Sequence, residues 1–248
     1  MGTVFSGLSS LDDLTGGFKD GELIILGGRP GLGKTSFALK LLERTGLNQN
    51  ENCFMRSFET SSSLLARHLY ALQTRLFWGL DKKENELNAF RNQYIDNGPV
   101  WIDDAPECDL EALTEKWRSL RADHELRFII IDYLQLMASP DGVTSCLMQL
   151  KSIAQELSMP VIVLSQLNRT VEARADKRPI ITDLPWVEGL DPLDQILFLY
   201  WDDFYKSLGE ERDNKAEFIL AKHPDGKIGI ATVACHRTAD GFLLYTGR

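Results

Sequence analysis

Cysteine is scarce and scattered in this 248-residue chain: Cys53, Cys108, Cys146 and Cys235 form no C-x-x-C and have no nearby histidine pair. That excludes a zinc-finger spacing and a redox dithiol, and makes reduced thiols in the cytoplasm the expectation. Long apolar runs are also missing. The most hydrophobic stretches, Phe128 to Ile131, Val161 to Leu164 and Ile196 to Tyr200, have the length of strands and fall far short of a bilayer span. Met1 to Leu14 lacks the basic start and apolar block of a signal peptide, so no membrane association is expected. Positive charge is in deficit: 27 Lys and Arg face 36 Asp and Glu, for a net charge of −9. Broad adhesion to nucleic acid or to an anionic membrane is thereby excluded, which leaves room only for a local basic loop. There is no internal repeat and no low-complexity tract. With 44% hydrophobic and 25% charged residues, this length suits one sizeable core, and a single domain over 1–248 is expected.

What is present is an alternation of short β-type runs with helix-length segments. Strands are expected near 23–27, 53–58, 100–103, 127–132 and 161–165, with helices from 34, between 61 and 97, near 109–122 and near 146–158. That order is the mark of an α/β fold, a mainly parallel twisted sheet flanked by helices on both faces. In the last of these helices Leu147, Leu150, Ile153, Ala154 and Leu157 recur at three-to-four spacing, a core-facing stripe. After residue 190 the texture changes to Ile196–Tyr200, Ala216–Leu220, Gly229–Val233 and Gly241–Tyr245, separated by turn residues. These read as C-terminal antiparallel strands extending the sheet.

The most specific signal is Gly28-Arg29-Pro30-Gly31-Leu32-Gly33-Lys34-Thr35, which fits G-x-x-x-x-G-K-[ST] behind the apolar strand Leu23–Leu26 and ahead of a helical pattern. At average composition such a match arises by chance in roughly 1% of chains this long, and the strand-loop-helix context lowers that further. Glycines let successive N–H groups point inward at phosphate oxygens, with Ser36 continuing the helix N-terminus. Lys34 is placed to reach the β- and γ-phosphates, and the Thr35 hydroxyl to hold Mg²⁺. The implied ligand is a nucleoside triphosphate with its magnesium ion.

Three further residues fall where a parallel sheet would open onto that loop. Phe128–Ile131 followed by Asp132 puts an acid at a strand's carboxyl end, suited to supporting Mg²⁺. The next residue is Tyr133, so an acid that activates water must come from elsewhere. Glu59 follows the second strand and qualifies as general base, although by position it reads equally as an acid favoured at a helix N-terminus. Gln166 ends the strand Val161–Ser165, placed to touch the γ-phosphate or simply to be a polar strand end. The loop after it carries Arg169, Arg174, Lys177 and Arg178 against Glu172 and Asp176. It is the best place for a phosphate backbone to touch, or else an ordinary solvated loop.

In this order, the pieces resemble the ATPase domain of DnaB-type replicative helicases, hexameric RecA-like motors. The resemblance covers nearly the whole chain and rests on the phosphate loop, Glu59, Trp101-Ile-Asp-Asp104, Ile131-Asp-Tyr-Leu-Gln-Leu-Met137, Ser165-Gln-Leu-Asn-Arg169, Asp176-Lys-Arg-Pro179 and Ala221-Lys-His223. It implies a RecA-like P-loop fold and ATP with Mg²⁺ hydrolysed between subunits. The same resemblance makes Lys34 and Thr35 ligands of nucleotide and metal, Asp132 the metal's support, Glu59 the base and Gln166 the γ-phosphate sensor. The loop after Gln166 would face single-stranded DNA. A primase or helicase loader is the implied protein partner, and the family's N-terminal domain has no counterpart in this sequence.

Several positions depart from the family pattern. Where relatives carry an arginine finger two residues after the lysine, this chain has Pro224, leaving Lys222, Lys227 or Arg237 as candidate trans-acting cations. Where relatives carry Asp-Leu-Arg-Glu-Ser-Gly, it has Asp183-Leu-Pro-Trp-Val-Glu-Gly189. Pro185 removes a phosphate contact there, and Trp186 is a candidate for stacking on a base or for packing. Arg56 lies within an expected buried strand and requires a paired acid or an exposed edge, and Trp201 stands where relatives often have arginine. These departures leave a second reading open: a divergent paralogue that binds ATP, hydrolyses it slowly and serves as a loader, scaffold or regulator.

Overall fold

The computed structural model describes residues 2–76, 80–106, 109–137, 142–186, 189–206, 209–238 and 241–245. A small antiparallel ladder of β1 (Thr3–Val4) and β2 (Phe18–Lys19) encloses α1 (Ser9–Thr15). Then β3 (Leu23–Gly28), α2 (Lys34–Leu42), β4 (Cys53–Ser57), α3 (Ser62–Thr74), α4 (Glu84–Arg91) and β5 (Val100–Asp103) follow in turn. Next come α5 (Leu110–His124), β6 (Ile129–Asp132), α6 (Leu134–Met137), α7 (Val143–Leu157) and β7 (Val161–Gln166). The chain finishes with β8 (Gln195–Trp201), β9 (Lys215–Lys222), β10 (Gly229–Thr238) and β11 (Gly241–Tyr245). The expected elements are all there. The strip at the N-terminus carrying β1, α1 and β2 is additional, because two-residue strands leave no periodicity to read.

Nine strands form one sheet in the order β11-β10-β9-β8-β3-β7-β6-β4-β5. From β8 to β5 the pairing is parallel, and from β8 outward to β11 it is antiparallel. Strand period two sorts the apolar side chains into two cores. Ile24, Leu26, Met55, Ile130 and Ile162 face Phe37, Leu41, Leu65 and Leu69 of α2 and α3. On the other face Leu23, Ile25, Phe54, Ile129 and Val161 meet Trp117 of α5 and the stripe Leu147, Leu150, Ile153 and Leu157 of α7. Covered on both sides, β3 is buried throughout and holds its carboxyl end rigidly.

Arg56 has the paired acid that its position demands. It is 1% exposed in β4, and its guanidinium donates to Asp103 of β5 and to the Ala105 carbonyl while lying 4.5 Å from the centre of the Phe58 ring. Burial raises the Asp103 pKa, but hydrogen bonds from Lys116 and the Ala105 N–H, with the Lys116 and Arg56 charges, outweigh it and hold the carboxyl below its usual range. Cys53, Cys146 and Cys235 are buried free thiols, and Cys108 lies outside the described residues.

Removing one partner of a buried pair strands the other charge. Asp103→Ala should therefore destabilise the fold by about 3 kcal/mol, and Arg56→Met by clearly less, as read from urea-denaturation midpoints. Equal losses would mean that the pair's charge is not what the site depends on.

Candidate functional site

The parallel strands end at one edge, and register decides which residues meet there. Gly28 pairs with Gln166 across β3 and β7, and Ser57 with Asp132 across β4 and β6. The loop between β3 and α2 turns through Gly31 (φ 78°) and Gly33 (φ 95°), the left-handed conformations that favour glycine. It delivers the chain into α2 with the first N–H groups of the helix facing a cleft of about 280 Å³. Pro30, Gly31, Gly33, Lys34, Thr35, Ser36, Glu59, Asp132 and Gln166, all singled out in the sequence, line that cleft. Of the rest of the loop, Leu32 turns its side chain into the core, and the Arg29 side chain reaches toward the segment after β7.

Lys34 folds back over the loop, its Nζ donating to the carbonyls of Gly28 (2.9 Å) and Arg29 (3.2 Å). Burial pulls its pKa down from 10.5 to about 8, against the upward pull of Asp132 and Glu59. Thr35 Oγ1 donates to Asp132 Oδ2 at 2.8 Å, so the two predicted metal supports are already in contact. Burial raises the Asp132 pKa, opposed by the Thr35 hydrogen bond and the Lys34 charge. One hydroxyl and one carboxylate are hard oxygen donors that suit Mg²⁺, an ion that completes its octahedron with water and phosphate oxygens. Among the described residues no cluster of three or more His, Cys, Asp or Glu forms a closed metal cage.

Glu59 stands two residues past β4, exposed at the cleft's other wall. Its turn is pinned at several points. The Phe58 N–H donates to the Asp132 carbonyl (2.8 Å), Ser57 Oγ donates to the Thr60 carbonyl (2.8 Å), and the Ser62 N–H donates to Asp104 (2.7 Å). Gln166 is held by Gln135 of α6, whose Nε2 donates to the Gln166 carbonyl (3.0 Å) and to Ser165 Oγ (2.9 Å). The arrangement provides a phosphate cradle, a metal seat, a carboxylate opposite and a polar strand end, all on one crevice.

The family model for the DnaB-like helicase C terminal domain matches residues 3–243. This chain belongs to that family. It is 32% identical to the replicative DNA helicase DnaB of Geobacillus stearothermophilus over 253 residues, covering 96% of this chain and 56% of the relative. It is 37% identical to a probable replicative DNA helicase of Trieres chinensis, covering 91% and 54%. The chain thus spans about half the length of the curated relatives it matches. Among solved structures, one of an isolated ATPase domain superposes with a TM-score of 0.81 at 30% identity, covering 99% of this chain and 91% of that one. A DnaB-like replicative helicase, described with its interactions with primase, superposes at 0.82 and 30%, covering 98% and 63%. The fold is RecA-like.

Within this DnaB-like frame several candidates need correction. Trp186 is 9% exposed and packed in the core with α5 and α7, which leaves no ring face for a base. Arg174 forks onto buried Asp183 at 2.6 and 2.7 Å, and Arg178 onto Glu217 at 2.7 Å through two nitrogens. The fold thus brings two acids from outside the loop against it, and the positive excess of the sequence segment is neutralised. Arg169 and Lys177 remain, Arg169 exposed in a 3-10 turn (Arg169–Ala173) and Lys177 over the Tyr205 ring at 5.3 Å.

The candidate cations divide. β9 runs antiparallel to β8, with Lys222 opposite Ile196, so Lys222 and the hairpin holding Lys227 lie at the sheet edge remote from this chain's own phosphate loop. Lys222 Nζ donates to the Leu190 carbonyl (2.8 Å), and Lys227 Nζ more loosely to that of Asp13 (3.3 Å). Arg237 lies near the far end of β10, and its side chain lies outside the described residues.

Leu39, Leu64 and His68 also line the cleft, beyond the residues singled out in the sequence. The i,i+4 spacing of Leu64 and His68, on a helix starting just after Glu59, carries that signal.

Phosphate binding favours the charged lysine, so nucleotide affinity should fall as Lys34 deprotonates above about pH 8. The expected weakening approaches tenfold per pH unit above that value, measurable by titrating a fluorescent ATP analogue between about pH 7 and 9.5. Folding has the opposite sign. The unfolded chain holds this proton more tightly between about 8 and 10.5, so Lys34's burial penalty is relieved as pH rises through that window. Flat affinity across the whole titration would show that Lys34 stays charged in the free protein.

Proposed function

We propose that this chain is the motor domain of a DnaB-type replicative helicase, an ATP hydrolase that works in a hexameric ring in the cytoplasm and moves single-stranded DNA. The observation that carries the reading is the Thr35–Asp132 contact at the phosphate loop, with Glu59 and Gln166 on the same cleft. Magnesium seated at Thr35 and Asp132 would neutralise charge on the β- and γ-phosphate oxygens. Lys34 bears on the same oxygens through its ammonium. Glu59 orients a water in line with the γ-phosphorus and accepts its proton, and Gln166 hydrogen-bonds the γ-phosphate.

A transition state of this kind gains from a cation beside the transferring group, and an arginine finger supplies about 10³–10⁵ in rate in GTPases. Pro224 offers no such donor. Its place is the β9–β10 turn, where the Gly226 N–H donates to the His223 carbonyl at 2.9 Å and Gly226 takes φ 72°. Proline suits the second position of such a turn. Remote from their own loop, Lys222 and Lys227 can serve only the cleft of another copy, and Lys227, the more loosely held, is our choice. Arg169 and Lys177 are the remaining DNA contacts, with Arg174 and Arg178 supporting the loop through their acids. A primase or helicase loader is the corresponding protein partner, in keeping with the primase interactions described for a structural neighbour.

The test is steady-state ATPase with and without single-stranded DNA, with solution mass recorded alongside. Stimulated turnover in a hexamer is expected, with Glu59→Gln lowering kcat by at least about 10²-fold while leaving ATP affinity intact. Lys227→Ala should depress turnover by at least about tenfold in assembled rings, a fraction of an arginine finger's effect. Tight ATP binding with slow, DNA-indifferent turnover in wild-type rings would replace this reading with that of a nucleotide-dependent scaffold.

A further inference from the structure

Arg29 sits in the phosphate loop, yet its guanidinium is spent elsewhere. Its Nε donates to Glu172 Oε1 at 2.8 Å and its Nη1 to the Leu167 carbonyl at 2.8 Å, with the arginine side chain 11% exposed. Both acceptors belong to the segment that follows Gln166. Leu167 adjoins the glutamine that lines the cleft, and Glu172 lies in the 3-10 turn that begins at Arg169. A planar guanidinium holding two acceptors in fixed directions transmits displacement better than a single lysine contact would.

A second contact runs beside it. Gly31 backs onto Phe204, whose ring would lie 3.3 Å from a Cβ built on that glycine, and the neighbouring Tyr205 ring carries the Lys177 ammonium. Upstream, Gln135 clamps the Gln166 backbone, accepting from its N–H (3.3 Å) as well as donating to its carbonyl. The base of the loop is thus anchored to α6, and its first turn is fastened to the backbone that cradles phosphate.

We propose that the Arg29–Glu172 pair is a coupling strut between the phosphate loop and the loop that meets single-stranded DNA, a positioning role outside the chemistry. The proposal rests on the motor reading above. Because coupling is reciprocal, DNA held by the loop must bear on the nucleotide site through the same contact. Glu172 is exposed and acidic, so the alternative role for it is plain repulsion of DNA phosphates. The two roles differ in sign: losing a repulsive charge tightens DNA binding and leaves maximal stimulation alone, whereas losing a strut lowers maximal stimulation whatever the affinity.

The experiment compares the 248-residue wild type with Glu172→Gln, reading ATPase rate against single-stranded DNA concentration up to saturation. The strut requires basal turnover within about twofold of wild type and a maximal stimulation reduced at least about fivefold, the lower end of measured couplings. The half-saturating DNA concentration should be unchanged or lower. In an Arg29→Ala background, where the pair is already broken, Glu172→Gln should reduce stimulation no further. A stimulated wild type with equally stimulated Glu172→Gln overturns the strut alone, as does a variant whose basal and stimulated rates fall together. A wild type indifferent to DNA overturns the motor reading and the strut with it.

Discussion

The constraint on which the rest depends is the in-register parallel pairing of β3, β7, β6 and β4. Because all four strands run the same way and are covered on both faces, their carboxyl ends stop at one edge, and each contributes one polar group to the crevice there. Gly28 opens the phosphate loop, Gln166 stands beside it, Asp132 follows one strand further, and Glu59 lies just beyond the last. A one-residue slip of β6 would turn Asp132 toward a core and break its 2.8 Å contact with Thr35. The apolar runs that read as strands are thus also what aligns the chemistry.

Electrostatics at that edge are a balance of burial against proximity. Lys34 and Asp132 are 8% and 2% exposed, and each is driven toward its neutral form by burial. Each is also the other's main electrostatic support among their charged neighbours, with Glu59 strengthening the lysine and opposing the aspartate. A lysine with a pKa near 8 sits close enough to neutrality for the negative charge of a bound triphosphate to restore its proton fully. The cleft therefore gains ammonium character most strongly when an anion occupies it.

Local chemistry is legible in the sequence, and long-range pairing is not. The phosphate loop, the strand-ending acid Asp132, the core stripe of α7 and the demand of Arg56 for an acid all follow from spacing or from burial within a few residues. Trp186, Arg174 and Arg178 depart from their sequence readings for one reason: their partners come from beyond the segment itself. Glu217 reaches Arg178 from β9, 39 positions away, and the pocket that receives Trp186 is built by α5 and α7. Charge counted along a segment cannot see such partners. Arg29 is the converse case. The motif marks it as a loop residue, but only the fold shows that its side chain serves the loop after β7.

The edge remote from the phosphate loop obeys a different logic. Antiparallel pairing reverses direction at each strand, so the β9–β10 hairpin returns to the amino ends of the parallel strands. Lys222 and Lys227 are carried there, away from the cleft. Arg237, far along β10 from Gly229, lies about 27 Å away at about 3.4 Å per residue, toward the opposite edge. One neighbouring cleft cannot therefore be served by all three cations, and the hairpin is the group whose position excludes its own site. Pro224 and Gly226 tighten that turn, and Ile228 beside it is 72% exposed. A rigid turn with an exposed apolar side chain and a loosely held lysine is suited to seating on another copy. In this chain the turn's shape and Lys227 take over the position where relatives place an arginine.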